Sequence, residues 1–259
     1  MRCSLWLTYL SDMDAEWIIE LEDVDVTHPD EGETVLVRNV NWRIKRGDFW
    51  VVGGPSSAGK SSLLITAAGL NRPAAGTLRI FGRDLRNVTE QEQIQWRQWI
   101  GFVFENGGRL LTHLTVAENV ALPLRYHRQM ADAEVAVQVG AWLERAGLSR
   151  FAEAMPSRLN PRLQQRLSLA RALIMPKAML FVDTPPVGHD QDARWWQHQL
   201  GELARQDLTV VVASNDFGSW LEIATHFALV QNEQFNIIGG PDQVKTDTNA
   251  AWRDYVTVN

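Results

Sequence analysis

Residues Gly54-Pro55-Ser56-Ser57-Ala58-Gly59-Lys60-Ser61 carry the spacing G-x-x-x-x-G-K-[ST]. They follow the apolar run Phe49-Trp50-Val51-Val52 and lead into Ser62, Leu63, Leu64 and Ile65. That order predicts a strand, a glycine-rich turn and a helix. The glycines let the backbone curl so that successive N–H groups point inward at a phosphate. The helix adds its free N–H groups and the positive end of its dipole at the same point. Lys60 is placed to reach the β- and γ-phosphates, and Ser61 to set its hydroxyl on Mg²⁺. The expected ligand is therefore a nucleoside triphosphate with Mg²⁺, cradled from Gly54 through Ser62. The competing explanation, a glycine turn with a lysine by chance, does not call for a strand before and a helix after. No N-K-x-D guanine motif is present, which disfavours GTP.

Composition narrows the class. The chain has 259 residues and 45% apolar content, ordinary for a globular protein with a core. A net charge of −6 leaves no basic surplus to neutralise a phosphate backbone, which argues against nucleic-acid binding. One cysteine, Cys3, rules out a disulfide framework within the chain and suits a reducing compartment. No apolar run reaches the roughly 18 residues of a membrane span. Leu5 to Leu10 is too short, and no small-residue cleavage site follows it. The expectation is a cytoplasmic chain that meets a membrane through a partner. Of the eleven tryptophans, Trp195 and Trp196 are expected at surface positions, as a protein interface would use them; core use of the tryptophans is the equal alternative.

The elements that must position the loop follow from periodicity. Residues 1–12 read as a loose extension, and Met13 as a second plausible start. Trp17 to Val26 alternates apolar and acidic residues, a half-buried strand pattern, and Thr34 to Ile44 repeats it before an Arg46-Gly47-Asp48 turn. Arg72 to Gly76 is expected to break the helix after the phosphate loop, and Thr77 to Phe81 to form a strand. Thr89-Glu90-Gln91-Glu92 is a capping box opening a helix through Trp99, and Ile100 to Phe104 a buried strand. From Thr115 to Ile174 the pattern is helical. Val135, Val139, Trp142, Leu143 and Ala146 share a face ended by Gly147, and Leu163, Leu167, Ala170 and Ile174 form another stripe ended by Pro176. Strands return at Met179 to Val182 and Leu208 to Ala213. The fold class is α/β, a P-loop NTPase with a mixed-sheet core and an inserted helical subdomain. The nucleotide-binding domain is expected over 13–259, its core at about 13–104 and 173–245 and the helical subdomain at about 105–172.

From about residue 17 onward the motif order resembles the ATP-binding cassette (ABC) family. Ile100-Gly101-Phe102-Val103-Phe104-Glu105 resembles the strand leading to its Q-loop. Leu114-Thr115-Val116-Ala117-Glu118-Asn119-Val120 is similar to the segment that meets the membrane partner. Gln165 to Leu173 resembles the helix after the signature motif. Met179-Leu180-Phe181-Val182-Asp183 resembles Walker B, whose aspartate holds Mg²⁺. Leu110 to Leu124 is similar to Mla-type lipid importers.

Several positions depart from the family pattern. Glu105 replaces the Q-loop glutamine. Asn160, Pro161, Arg162 and Leu163 replace the Ser-Gly-Gly-Gln signature. Thr184 replaces the catalytic glutamate, and Asn215 the switch histidine. His28 stands where an aromatic residue often stacks on adenine, and Asp190 at the D-loop aspartate.

The chemical consequences follow from residue type. Threonine has no basic group near neutral pH, and losing a general base costs on the order of 10²–10⁴ in rate. Asn215 cannot carry the charge of a histidine. Pro161 has no N–H, while Arg162 and Leu163 add bulk at the signature. Asn160 is nonetheless a good N-cap, and Pro161 suits the first helical position. Glu105 is an oxygen ligand suited to Mg²⁺ beside Ser61 and Asp183, and is also a candidate displaced base.

What the resemblance implies is an ATP-binding subunit with impaired or absent hydrolysis. It would act with an integral membrane permease, as a homodimer or as a heterodimer with a second ABC ATPase subunit, peripheral on the inner face of the cell membrane. Two alternatives stay open: a regulatory pseudo-ATPase outside transport, and a slow ATPase using the substituted residues.

Overall fold

The computed structural model describes residues 17–28, 34–128 and 130–246. The expectations for residues 1–12, Met13 and Cys3 lie outside the described residues. The strands in chain order are β1 (Trp17–Thr27), β2 (Val35–Lys45), β3 (Phe49–Gly53), β4 (Ala75–Ile80), β5 (Arg83–Asp84), β6 (Ile100–Val103), β7 (Met179–Asp183), β8 (Thr209–Ala213), β9 (His226–Gln231) and β10 (Gln234–Gly239). The helices are α1 (Lys60–Ala67), α2 (Glu90–Trp99), α3 (Val116–His127), α4 (Asp132–Arg145), α5 (Pro161–Leu173), α6 (Gln191–Arg205) and α7 (Pro241–Thr246). Contacts divide the chain into two compact units, one of Met1–Ile100 with Ala178–Asn259 and one of Gly101–Lys177.

The first unit has the mixed α/β core expected of a P-loop NTPase. Its strand order is β5-β4-β1-β2-β10-β9-β3-β8-β7. The half of the sheet around β1, β2 and β4 is antiparallel, whereas β3 runs parallel to β8 and β9, and β7 parallel to β8. All residues of β3, β7 and β8 are buried, as their continuous apolar runs require of parallel strands covered on both faces. Ala213 is opposite both Val52 and Asp183, so β3, β7 and β8 end level with one another. In a parallel sheet that carboxyl edge is where ligands bind.

Three expectations in this unit need correction. Trp196 is not at the surface: it is fully buried on α6, together with Ala193, Leu200 and Leu203 at helical spacing. Its neighbour Trp195 is half-buried. The helix after the phosphate loop stops at Ala67, not at Arg72 to Gly76. Gly69 turns the chain there at φ +68, and a Cβ on it would lie 2.6 Å from Ile80 Cδ1. The following strand then starts at Ala75. The Thr89 capping box forms as expected: Thr89 Oγ1 accepts from the Glu92 N–H at 3.3 Å, and Glu92 Oε2 accepts from the Thr89 N–H at 2.8 Å.

The second unit holds β6, α3, α4 and α5. Thr115 and Glu118 make another capping box at the start of α3. The buried Asn119 side chain accepts from the Leu111 N–H and donates to the carbonyls of Leu111, Leu114 and Thr115, which pins the segment ahead of the helix. Gly147, at φ +69, follows the end of α4. Asn160 caps α5, its Oδ1 accepting from the Leu163 N–H at 2.9 Å, with Pro161 at the first helical position. Leu167, Ala170 and Ile174 are buried, but Leu163 is half-buried.

Candidate functional site

The phosphate loop leaves the sheet at the end of β3. Gly54 has φ +143, and a Cβ there would lie 2.1 Å from the Val230 carbonyl oxygen, so β9 and the loop approach more closely than any side chain allows. Gly59, at φ +96, sits at the N-cap of α1. A Cβ on it would lie 2.9 Å from Val37 Cγ2. Ser57 also adopts a left-handed conformation, at φ +65. No side chain caps the α1 N-terminus, which leaves the first-turn amides to an external anion. Pro55, Ser56 and Ser57 are exposed, Ala58 is half-buried and Ser62 is buried.

Lys60 is buried, and its Nζ donates to the carbonyls of Gly54 at 2.7 Å and Pro55 at 2.8 Å. The ammonium is therefore folded over the loop it would serve. Ser61 Oγ donates to Asp183 Oδ1 at 3.0 Å, and Thr184 Oγ1 donates to the same oxygen at 3.2 Å. Asp183, at the end of β7, is 4% exposed. A hydroxyl and a carboxylate in contact, both hard oxygen donors, fit Mg²⁺ bridged to a nucleotide's phosphates. Among the described residues, no three His, Cys, Asp or Glu side chains gather as a metal cage of their own.

Thr184 is half-buried with φ +48, a strained conformation for a β-branched residue. Its N–H donates to the Ala213 carbonyl at 3.1 Å. Asn215 is exposed on the loop after β8. Around it runs a network that the sequence reading missed. Ser214 Oγ accepts from the Asp216 N–H at 3.1 Å and from Trp220 Nε1 at 3.0 Å. Ser219 Oγ donates to Asp216 Oδ2 at 2.6 Å and accepts from the Gly188 N–H at 3.0 Å. The available signal was the Ser214-x-Asp216 and Asp216-x-x-Ser219 spacing, which suits local side-chain turns. His28 is half-buried just past β1, its N–H donating to the Thr34 carbonyl at 3.4 Å. Asp190 Oδ1 accepts from the Ala193 N–H at 2.7 Å and so caps α6.

Glu105 and the stretch from Asn160 to Leu163 belong to the second unit. Glu105 is exposed at the start of a single turn, Glu105–Gly107. Gly107 lies so close to α5 that a Cβ would be 2.4 Å from the Gln164 carbonyl carbon. Asn160 and Pro161 serve as helix start, as described above.

Residues 37–187 match the family described as ABC transporter. The chain belongs to that family. The ABC chain is 35% identical over 224 residues to the sulfate/thiosulfate import ATP-binding protein CysA of Mycolicibacterium paratuberculosis, a match covering 85% of this chain and 59% of that protein. It therefore spans about three-fifths of that relative's length. It is 28% identical to the intermembrane phospholipid transport ATP-binding protein MlaF of Haemophilus influenzae, covering 82% of this chain and 81% of that one, in keeping with the Mla resemblance. An ATP-binding cassette solved as a dimer in a post-hydrolysis state with ADP and Pi superposes with a TM-score of 0.76 at 29% identity, covering 86% of this chain and 99% of that one. The mixed α/β architecture is thus that of an ABC cassette, a family that binds ATP. The matched stretch holds the phosphate loop, Asp183 and Thr184; His28 and Asn215 lie outside it.

Proposed function

We propose that this chain is the ATP-binding subunit of an ABC transporter that holds Mg-ATP with impaired or absent hydrolysis. The observation that carries the reading is Asp183 Oδ1, which accepts from both Ser61 and Thr184. A metal-binding pair is kept, and the side chain beside it is committed to that same aspartate. In this reading the amides of Gly54 through Ser62 hold the phosphates, Lys60 neutralises them, and Ser61 and Asp183 take Mg²⁺, which offsets charge on the phosphate oxygens. His28 lies against the base. Thr184 offers no group to take a proton from water, and Asn215 can only hydrogen-bond where histidine would carry charge. The helix start at Asn160 is kept while its N–H-rich phosphate surface is replaced, so a motif-complete partner would share the deficit.

The partners proposed are an integral membrane permease and a second cassette, identical or different, with the chain peripheral on the cytoplasmic face of the membrane. None of the described helices is long and apolar enough to cross a membrane, and the negative charge argues against nucleic acid. The test measures binding of a fluorescent ATP analogue and steady-state turnover by wild type and Lys60→Ala. Binding lost in the variant, with little turnover in either, supports the reading. Equal binding by the variant removes the nucleotide assignment. Strong turnover abolished by Lys60→Ala removes the hydrolytic one. Failure to co-purify with a permease, with binding intact, moves the protein to a regulatory role.

A further inference from the structure

At the end of the sheet opposite the phosphate loop lies an aromatic cleft that the ATP reading does not use. Trp50 is near the start of β3, and Gly54 follows its end. At about 3.3 Å per residue the two are separated by roughly 13 Å. The cleft has a volume of about 540 Å³ and is lined chiefly by Trp17, Trp42, Trp50, His226, Lys45 and Asp48. That size is in the range of small-molecule sites, roughly 300–1,000 Å³.

Strand register builds it. Trp50 is opposite His226, and the two rings stack with centroids 4.5 Å apart and planes 12° from parallel. Trp42 meets Trp50 edge-on at 5.6 Å. Trp17 is opposite Lys45, whose Nζ lies 4.5 Å from the indole centroid, with the Arg43 guanidinium at 5.9 Å. The Trp17 face thus already attracts cations from within the chain.

The polar group in the cleft is Asp48. Its Oδ2 accepts from the Lys45 backbone N–H at 2.8 Å and from Trp50 Nε1 at 3.1 Å. Its Oδ1 has no hydrogen bond among the described residues; the nearest cationic candidate, His226 Nδ1, is 4.0 Å away, beyond hydrogen-bond reach. His226 Nδ1 is instead 2.8 Å from Thr225 Oγ1. That hydroxyl also lies 3.1 Å from the Phe49 carbonyl oxygen. Of the other charged lining residues, Glu22 and Arg43 form an ion pair at 3.5 Å. Trp42 and Trp50 are buried, 1% and 3% exposed, so what the cleft presents to a ligand is the half-buried Trp17 ring and one carboxylate oxygen with spare acceptor capacity.

We infer that this cleft is a second binding site, taking a small organic ammonium cation between the Trp17 ring and Asp48 Oδ1. The Lys45 ammonium marks where the ligand's cation sits and competes with it.

The probe is choline, set against its neutral carbon isostere 3,3-dimethylbutan-1-ol, on the full chain. The readout is the indole N–H resonances of Trp17 and Trp50, assigned with Trp17→Phe and Trp50→Phe. Asp48→Asn is a mild change, because an amide oxygen in the place of Oδ2 keeps both existing hydrogen bonds while the free oxygen becomes a donor. Choline is expected to shift both resonances saturably. The alcohol, or choline with Asp48→Asn, should bind roughly tenfold more weakly, and Lys45→Ala should tighten choline several-fold. Equal response to choline and the alcohol overturns the inference, leaving an apolar cleft only. So does indifference to Asp48→Asn, weaker choline binding by Lys45→Ala, or no shift in the millimolar range.

Discussion

The loop after β3 and the turn after β7 leave the sheet at the same edge, with β8 between them, and both need left-handed backbone. The first supplies it with Gly54, Ser57 and Gly59. At Gly54 nothing else fits, since a Cβ would lie 2.1 Å from the Val230 carbonyl oxygen. The second supplies it with Thr184 at φ +48. A β-branched residue there costs roughly 1–3 kcal/mol. It is held by its N–H on the Ala213 carbonyl and its Oγ1 on Asp183. At Gly54 geometry admits one residue type, so chemistry and conformation are read together there, while Ser57 in the same loop takes a left-handed conformation without being glycine. In the second the conformation survives with an unfavourable residue, and the chemistry at position 184 is free to differ from the family's.

Gly54→Ala should break that contrast most forcefully. The new methyl has backbone, not a flexible side chain, in its way, so the loop or β9 must move. The expected cost is about 2–4 kcal/mol of stability, with loss of ATP-analogue binding, checked by urea denaturation and titration. A variant within about 0.5 kcal/mol of wild type would mean the loop is less tightly fixed than the contact distance implies.

Thr184→Gly tests the other side. Strain relief is opposed by the lost Oγ1 hydrogen bond and by the greater freedom of glycine in the unfolded chain, each about 1 kcal/mol. The expected result is stability unchanged or raised by up to about 1 kcal/mol. A clear drop would assign the turn's conformation to the Thr184 side chain itself. ATP-analogue binding should persist, because the phosphate loop is untouched.

A smaller effect is expected from Glu105→Gln, which restores the residue type of the family's Q-loop. Mg²⁺-dependent ATP affinity should fall several-fold, with turnover staying low, if the carboxylate serves the metal. Turnover lost with binding unchanged would make Glu105 a displaced base. No change in either would return it to solvent, consistent with its exposed place on the Glu105–Gly107 turn.

The same contrast explains what was legible in the sequence. Conformations that demand a residue type left a mark: the phosphate loop, the Thr89 capping box, the Asn160–Pro161 helix start and Gly147 after α4 all read directly. Conformations that tolerate the wrong residue did not. β9 and β10 are joined through Asn232 and Glu233, both left-handed at φ +53 and +60, the pattern of a type I′ turn. Without the usual glycine, the hairpin gave no signal. Trp196 failed for a different reason. Two adjacent tryptophans on a polar helix look alike in sequence, and only the 3.6-residue phase shared with Ala193 and Leu200 separates the buried one from its neighbour. The site's outline was legible through Lys60, Ser61 and Asp183, whereas the Ser214–Asp216–Ser219 network joins residues to Gly188, 31 positions away, a contact no local pattern encodes.

The smallest expected effect lies in the second unit. Burial, and then the nearby Arg128 guanidinium, push the Lys177 amine down to about 8. The same neighbourhood lowers His127, through burial first and the Lys177 and Arg128 charges after it. The sign follows from where the proton resides. Below about pH 8 Lys177 is charged in both states, and the cost of burying that charge is fully present. Between about pH 8 and the unfolded value near 10.5, the unfolded chain holds a proton that the folded chain has released, so this group makes stability rise with pH. Lys177→Met removes both the cost and the slope. Other lysines and tyrosines titrate in the same range, so the measurement is a difference: urea midpoints of wild type and Lys177→Met at about pH 7.5 and about pH 10. The variant should be the more stable at the lower pH, and its advantage should shrink by on the order of 1 kcal/mol at the higher one. An advantage that stays constant would mean that Lys177 keeps its proton in the folded chain, held there by its surroundings in spite of its burial.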